Sequence, residues 1–149
     1  MQKRVDYCDA DSSYFGCFPL TWSISPHITH LAPDWLMWYY NKSYLTGNDF
    51  FMLPPSGDLY SYPATMPSDV QDNFVSNTEA DCVILSTSAT IEWEWIAHWK
   101  HALSDYYPKY SVHDIVKGIF TVNVPFNLPN PTIFDPNEFY KIINTNVVV

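Results

Sequence analysis

Residues 49–63, DFFMLPPSGDLYSYP, constrain the fold more than any other part of this sequence. The stretch begins with a short continuous apolar run at residues 50–53, which is typical of a strand covered on both faces. Pro54 and Pro55 end that strand, because neither proline can donate a backbone hydrogen bond. The chain then enters a polar loop that contains Tyr60 and Tyr62. The stretch therefore predicts a buried strand that opens directly into a binding loop.

Predicted strands and helices alternate along the rest of the chain. The strands are predicted at residues 5–8, 18–24, 50–53, 90–95 and 116–125. Helices are predicted at residues 27–45, from Ser68 onward, and at residues 97–106. The first helix is predicted to break at Pro33 and to be stopped by Gly47 in a left-handed conformation. The predicted buried face of the helix after Ser68 is Val70, Phe74, Thr78 and Cys82. This alternation favours an α/β fold with a mainly parallel sheet of about five strands. About five strands cannot close an eight-stranded barrel, so we predict a partial TIM-barrel-like fold, with an open α/β sheet as the alternative.

Length and charge limit the domain organisation and the partners. A chain of 149 residues suits one domain; we predict a partial α/β domain at residues 5–129 and a C-terminal extension at residues 130–149. The net charge is −9 with seven Lys and Arg, so no basic run can neutralise phosphates and nucleic-acid binding is not expected. Membrane association is not expected either, because no apolar run approaches the roughly 20 residues of a spanning helix. The first residues carry no apolar segment, so no signal peptide is predicted.

The sequence predicts no metal and no cofactor. The sequence has three cysteines, Cys8, Cys17 and Cys82. Either all three are small buried hydrophobic residues, or Cys8 and Cys17 form a disulfide. His27 and His30 could join Asp9 and Asp11 in a metal site for deacetylation. Two histidines at the start of a helix are the preferred interpretation.

Polar and aromatic side chains follow the predicted strands. In a parallel sheet the loops after the strands lie at one edge, so these side chains are predicted to converge. The carboxylates are Asp9, Asp11, Asp58, Glu92 and Glu94, and the rings are Trp22, Tyr60, Tyr62, Trp93 and Trp95. Several carboxylates beside aromatic rings suggest glycoside hydrolysis, which requires one carboxylic acid and one carboxylate.

Within this set, Glu94 and Asp58 are the predicted acid and base pair. Asp9 and Asp11 are predicted to orient sugar hydroxyls or to hold a cation. The predicted substrate contacts are Trp22, Ser56, Gly57, Tyr60, Tyr62, Glu92 and Asn123. Two competing interpretations stay open: the Asp-x-Asp pair as an ordinary turn, and Glu92 with Glu94 as the solvated face of a strand.

Three segments in order carry a family resemblance. Residues 57–63, GDLYSYP, match the motif G-x-G-Y-x-Y-P; residues 9–12, DADS, look like a D-G-D-N turn; and residues 18–26, FPLTWSISP, look like F-P-L-G-W-T-I-S-P. From about residue 5 to residue 129, the chain resembles the GxGYxYP family of putative glycoside hydrolases. It departs from the family pattern in Leu59, which replaces the second glycine, in Ser12, and in a shorter segment at residues 11–18.

The resemblance implies a carbohydrate-active, barrel-like α/β domain that acts on an oligosaccharide or polysaccharide. Such domains usually belong to larger secreted proteins, so an extracellular location is expected from the family alone. One alternative is a degenerate relative that has lost catalysis and serves as a carbohydrate-binding or interaction module. Another is an incompletely folded gene fragment.

Overall fold

The computed structural model describes residues 18–121. The strands are β1 (Leu20–Ser23), β2 (Asp49–Met52), β3 (Ala89–Glu92) and β4 (Gly118–Thr121). The α-helices are α1 (Ile28–Leu31), α2 (Pro33–Thr46), α3 (Ser68–Ile84) and α4 (Trp99–His101). Short 3₁₀ turns lie at Pro63–Thr65, Ile96–His98 and Tyr107–Ser111, and a π-helical turn lies at Ala102–Tyr106. The strand predicted at residues 5–8 lies outside the described residues.

These strands form two parallel pairs. β1 pairs with β2, and the register places Leu20 opposite Asp49. β3 pairs with β4, and the register places Ala89 opposite Gly118. Residues 18–121 therefore contain neither a sheet of about five strands nor a TIM-barrel-like arrangement. The predictions of a partial TIM-barrel-like fold and of one open α/β sheet are wrong.

The reason is the shortness of each strand. Leu53, directly after β2, makes an isolated parallel bridge with Thr90, and Pro54 and Pro55 then remove two backbone donors. The strand predicted at residues 90–95 keeps the ladder only as far as Glu92. Alternating strands and helices reveal the order and the parallel direction of strands, but they do not reveal which strands pair.

The chain divides between Met52 and Leu53 into two compact units. We call residues 18–52 the first unit and residues 53–121 the second unit. In the first unit the predicted break at Pro33 is confirmed, since α1 ends at Leu31 and Pro33 begins α2. Gly47 ends α2 with a φ of 62°, and its backbone N–H donates to the Ser43 carbonyl at 2.9 Å. The predicted left-handed stop is therefore confirmed.

α3 supplies much of the core of the second unit. Three of the residues predicted for its buried face, Phe74, Thr78 and Cys82, are buried. Val70 is exposed, so its predicted burial is wrong. The other large buried side chains of the second unit include Leu53, Leu85, Trp99, Tyr106, Tyr107, Tyr110, Val116 and Ile119. No helix among residues 18–121 combines the length and the apolar character that a membrane span requires.

Candidate functional site

The segment GDLYSYP begins with a backbone turn that only glycine fits. Gly57 has a φ of 90°, and its N–H donates to the Pro54 carbonyl at 2.7 Å. A Cβ on Gly57 would lie 2.6 Å from two atoms of the Thr78 side chain. The first glycine of the motif is thus required both by the conformation and by close packing against α3.

Leu59 has no such requirement. The non-glycine residues with positive φ in the described chain are Ser86 and Asp114, so Leu59 does not occupy a left-handed conformation. Its carbonyl accepts a hydrogen bond from the Ser56 N–H at 3.2 Å. Replacement of the motif's second glycine by leucine therefore causes no left-handed strain in this backbone.

Ser56 connects the segment to the residues that follow β3. Its side chain is buried, and the hydroxyl donates to the Ser61 carbonyl at 2.8 Å. The same hydroxyl accepts a hydrogen bond from the Trp93 N–H at 3.2 Å. Ser56 therefore holds the loop against the end of β3; its predicted contact with substrate stays a prediction.

Glu94 lies two residues after β3 and contacts the chain directly after the signature. It is 3% exposed, and its Oε1 accepts a hydrogen bond from the Ala64 N–H at 2.7 Å. Its Oε2 is buried and has no hydrogen-bond partner among the described residues. Burial raises the pKa of Glu94 to about 7, although the Ala64 N–H and the charge of His101 oppose the increase.

Glu92 lies deeper, with no exposed surface. Tyr106 donates to its Oε2 at 3.4 Å and Tyr110 donates to its Oε1 at 3.3 Å, while the two phenol oxygens lie 2.7 Å apart. Burial raises the pKa of Glu92 well above its usual range, and the charge of Glu94 adds to the increase. Since both glutamates are buried, their interpretation as a solvated strand face is wrong.

The sequence reasoning did not identify Tyr106 and Tyr110 as partners of Glu92. The available signal was their spacing of four residues, which places two hydroxyls on one face of a helix, but the predicted helix at residues 97–106 ended before Tyr110. What the sequence does not reveal is that this face is turned toward the end of β3.

Four aromatic side chains lie in a continuous series that we call the aromatic row: Trp93, Tyr60, Tyr62 and Trp95. The centroid separations along the row are 6.1, 6.2 and 5.2 Å, and the last pair is stacked with 30° between the ring planes. The Tyr60 phenol beside Tyr62 raises the pKa of Tyr62, and the charge of Glu94 contributes to the same increase. The predicted contacts Tyr60 and Tyr62 therefore lie together, next to Glu94.

Asp58 lies at the edge of the same loop and is half-buried. Its backbone N–H donates to Thr78 Oγ1 at 3.2 Å, and its Oδ2 accepts from Asn77 Nδ2 at 3.3 Å. α3 therefore fixes both its backbone and its carboxylate. Its pairing with Glu94 as base and acid stays a prediction.

The remaining predicted site residues lie either in the first unit or outside the described residues. Trp22 belongs to the first unit, where its Nε1 donates to Asp49 Oδ1 at 2.7 Å. It lines an open depression of about 170 Å³ with Ser23, Ile24, Tyr39 and Phe51. Asp9, Asp11 and Asn123 lie outside the described residues. Within residues 18–121 no group of three or more His, Cys, Asp or Glu side chains could hold a metal ion.

Comparison with known proteins identifies a family and a solved relative. Residues 10–127 match the family described as GxGYxYP putative glycoside hydrolase C-terminal domain. The fold is similar to the crystal structure of a putative hydrolase from Bacteroides thetaiotaomicron VPI-5482, with a TM-score of 0.66 and 26% sequence identity. The similarity covers 83% of this chain and 23% of the solved chain, so this chain spans about a quarter of that protein. No match was found among curated proteins.

Proposed function

Because the chain belongs to the GxGYxYP putative glycoside hydrolase C-terminal domain family, we propose that it binds carbohydrate and hydrolyses glycosidic bonds, with Glu94 as the general acid. The observation that carries the proposal is the buried Glu94 carboxyl, whose pKa is raised to about 7. A general acid in this reaction must stay protonated near neutral pH, and burial of a carboxyl is a common means of achieving that. Since Oε1 accepts the Ala64 N–H, the proton belongs on Oε2.

In the proposed reaction, Glu94 donates the Oε2 proton to the glycosidic oxygen while the bond from that oxygen to the anomeric carbon breaks. Asp58 acts as the carboxylate partner, either on a water molecule or on the anomeric carbon. Asp9 and Asp11 are proposed to orient sugar hydroxyls or to hold a cation. Ser56, Gly57, Glu92 and Asn123 complete the proposed substrate contacts, and the contact predicted for Trp22 stays a prediction.

The aromatic row supports the same proposal. Tyr60 and Trp95 are exposed, and aromatic faces pack well on the C–H surfaces of sugars while phenol hydroxyls bond to sugar oxygens. Glu94 Oε2 is closed to solvent, so delivery of its proton requires side chains to move aside when a sugar binds. Tyr62 is the proposed mobile group, because it is only half-buried and interacts with the charge of Glu94.

The test is release of reducing ends from a panel of plant and microbial glycans. Glu94→Gln and Asp58→Asn each remove one ionisable group with little change in shape. We expect each variant to lose at least about 100-fold in turnover, whereas Asp114→Asn, an exposed carboxylate at a φ of 58° that asparagine tolerates, keeps wild-type turnover. Wild-type turnover in both site variants would refute the proposed pair.

A non-catalytic carbohydrate-binding module is the second candidate. The chain's coverage of 23% of the solved relative favours it, because the remaining catalytic groups could belong to other parts of such a protein. Glycan affinity without any released reducing end would identify this function. Cooperative thermal unfolding of residues 1–149 would argue against an incompletely folded fragment.

A further inference from the structure

We propose that the aromatic row receives a neutral, linear oligosaccharide and excludes glycans that carry carboxylate or sulfate groups. This inference rests on the proposed carbohydrate function and specifies its substrate class. It depends on the shape of the row and on the charges of the side chains around it.

The shape of the row favours an extended chain of sugars over a single sugar. Each centroid separation, 6.1, 6.2 or 5.2 Å, is of the same order as the length of one sugar ring. Trp95 is 53% exposed and Tyr60 is 64% exposed, so accessible rings occur on both sides of the half-buried Tyr62. The ring planes are inclined by 58°, 68° and 30° along the row, so a linear chain of sugars that follows the row would contact ring edges as well as ring faces.

The negative field next to the row comes from Asp58 and from the net charge of the chain. Glu94 and Glu92 are buried and their pKa values are raised, and Glu94 carries a proton in the proposed reaction, so these two side chains do not contribute to that field. Asp58 precedes Tyr60 by two residues. The whole chain carries a net charge of −9, so the surrounding field has the same sign as a uronate or a sulfate.

Cationic partners for an anionic sugar are scarce in the second unit. Residues 18–121 contain no arginine, the side chain that binds carboxylates and sulfates through paired hydrogen bonds. Lys109 forms an ion pair with Asp72, and Lys117 forms one with Asp114. Lys100 is exposed, and one exposed ammonium group contributes little to anion binding. His101, whose charge acts on Glu94, is paired with Asp105, and His113 is paired with Glu79.

A neutral sugar and an anionic sugar would therefore bind to this surface with very different affinities. The neutral sugar exchanges water for aromatic contact and needs no counter-charge. The anionic sugar would place its charge near the Asp58 carboxylate and would lose solvation without gaining an arginine fork. The surface thus favours neutral linear chains over polyuronates.

The test uses residues 1–149 in calorimetric titrations. The neutral probes are cellohexaose, xylohexaose, mannohexaose and maltohexaose, and the anionic probe of matched length is hexagalacturonic acid. We expect at least one neutral probe to bind at least about tenfold more tightly than hexagalacturonic acid at about 50 mM NaCl. We also expect the neutral affinity to be unchanged at about 500 mM NaCl, where charge repulsion is screened.

Two variants test the location. Trp95→Ala should weaken binding of the neutral probe by about five- to tenfold through loss of the stacked ring. Trp35→Ala, which removes a 65% exposed tryptophan from α2, should leave the affinity unchanged. Far-ultraviolet circular dichroism verifies that both variants keep the fold.

The outcomes separate this inference from the proposed function. Equal or tighter binding of hexagalacturonic acid would overturn the neutral-substrate inference and leave carbohydrate binding in place. Unchanged affinity of Trp95→Ala, or an equal loss in Trp35→Ala, would overturn the aromatic row as the binding surface. Failure of every probe to bind would overturn both proposals.

Discussion

Gly57 and Leu59 occupy the two glycine positions of the signature motif, and the structure separates their roles. Gly57 combines a φ of 90° with a close approach to Thr78, so this position excludes a side chain, a requirement that was not predicted from the sequence. The resemblance marked Leu59 as a departure, yet its backbone does not need positive φ. A sequence motif records that glycine is common at a position without recording whether conformation or packing is the cause.

Gly57→Ala is expected to destabilise the protein by about 2 kcal/mol or more, because left-handed strain adds to an overlap with Thr78. Gly47→Ala is the control: its φ of 62° is similarly strained, but nothing lies within 4 Å of its Cβ position. This control should cost about 1 kcal/mol. Urea unfolding measures both values, and equal losses would show that packing against Thr78 contributes nothing.

At β3 and the residues after it, the sequence correctly predicted a strand but did not predict which face of the strand is buried. The period-two alternation at residues 90–95 correctly indicated a strand, but its acidic residues face the interior. Thr90 and Glu92 are buried within β3, whereas Ile91 is half-buried. Glu92 can occupy this face because Tyr106 and Tyr110 supply hydroxyl groups. Those partners come from a distant segment, so the sequence of the strand alone could not reveal its inward face.

The tyrosine cluster around Glu92 makes a prediction about stability. Tyr110→Phe removes the hydroxyl that lies 3.3 Å from Glu92 Oε1 and 2.7 Å from the Tyr106 phenol oxygen. Because Glu92 would keep a buried oxygen without that donor, we expect a loss of about 1–3 kcal/mol in the free energy of unfolding.

Tyr107→Phe is the matched control, since Tyr107 is equally buried and its hydroxyl has no hydrogen-bond partner among the described residues. Removal of that hydroxyl should be neutral or stabilising. Thermal and urea unfolding of both variants measures the difference. A neutral Tyr110→Phe would contradict the role of the cluster in satisfying Glu92.

At the scale of the whole molecule, the sequence predicted the family but did not predict how many strands pair in one sheet. Short ordered motifs were enough to recognise the family, which matches residues 10–127. The number of paired strands was not predictable, because pairing depends on contacts between distant segments that alternation does not encode. The predicted convergence of all strand ends at one edge required a single sheet, and β1–β2 and β3–β4 are two. Glu94 and the aromatic row meet instead through the signature loop and the end of β3.

The whole account depends on Glu94 acting as a protonated acid, and the pH dependence of turnover tests that claim most directly. Release of reducing ends from the best neutral hexasaccharide would be measured from about pH 4 to about pH 9. Since the acid must carry its proton, kcat/KM should fall as the pH rises through about 7, and Glu94→Gln should have almost no turnover at any pH. Undiminished wild-type turnover at the alkaline end, or substantial turnover by Glu94→Gln, would contradict the account.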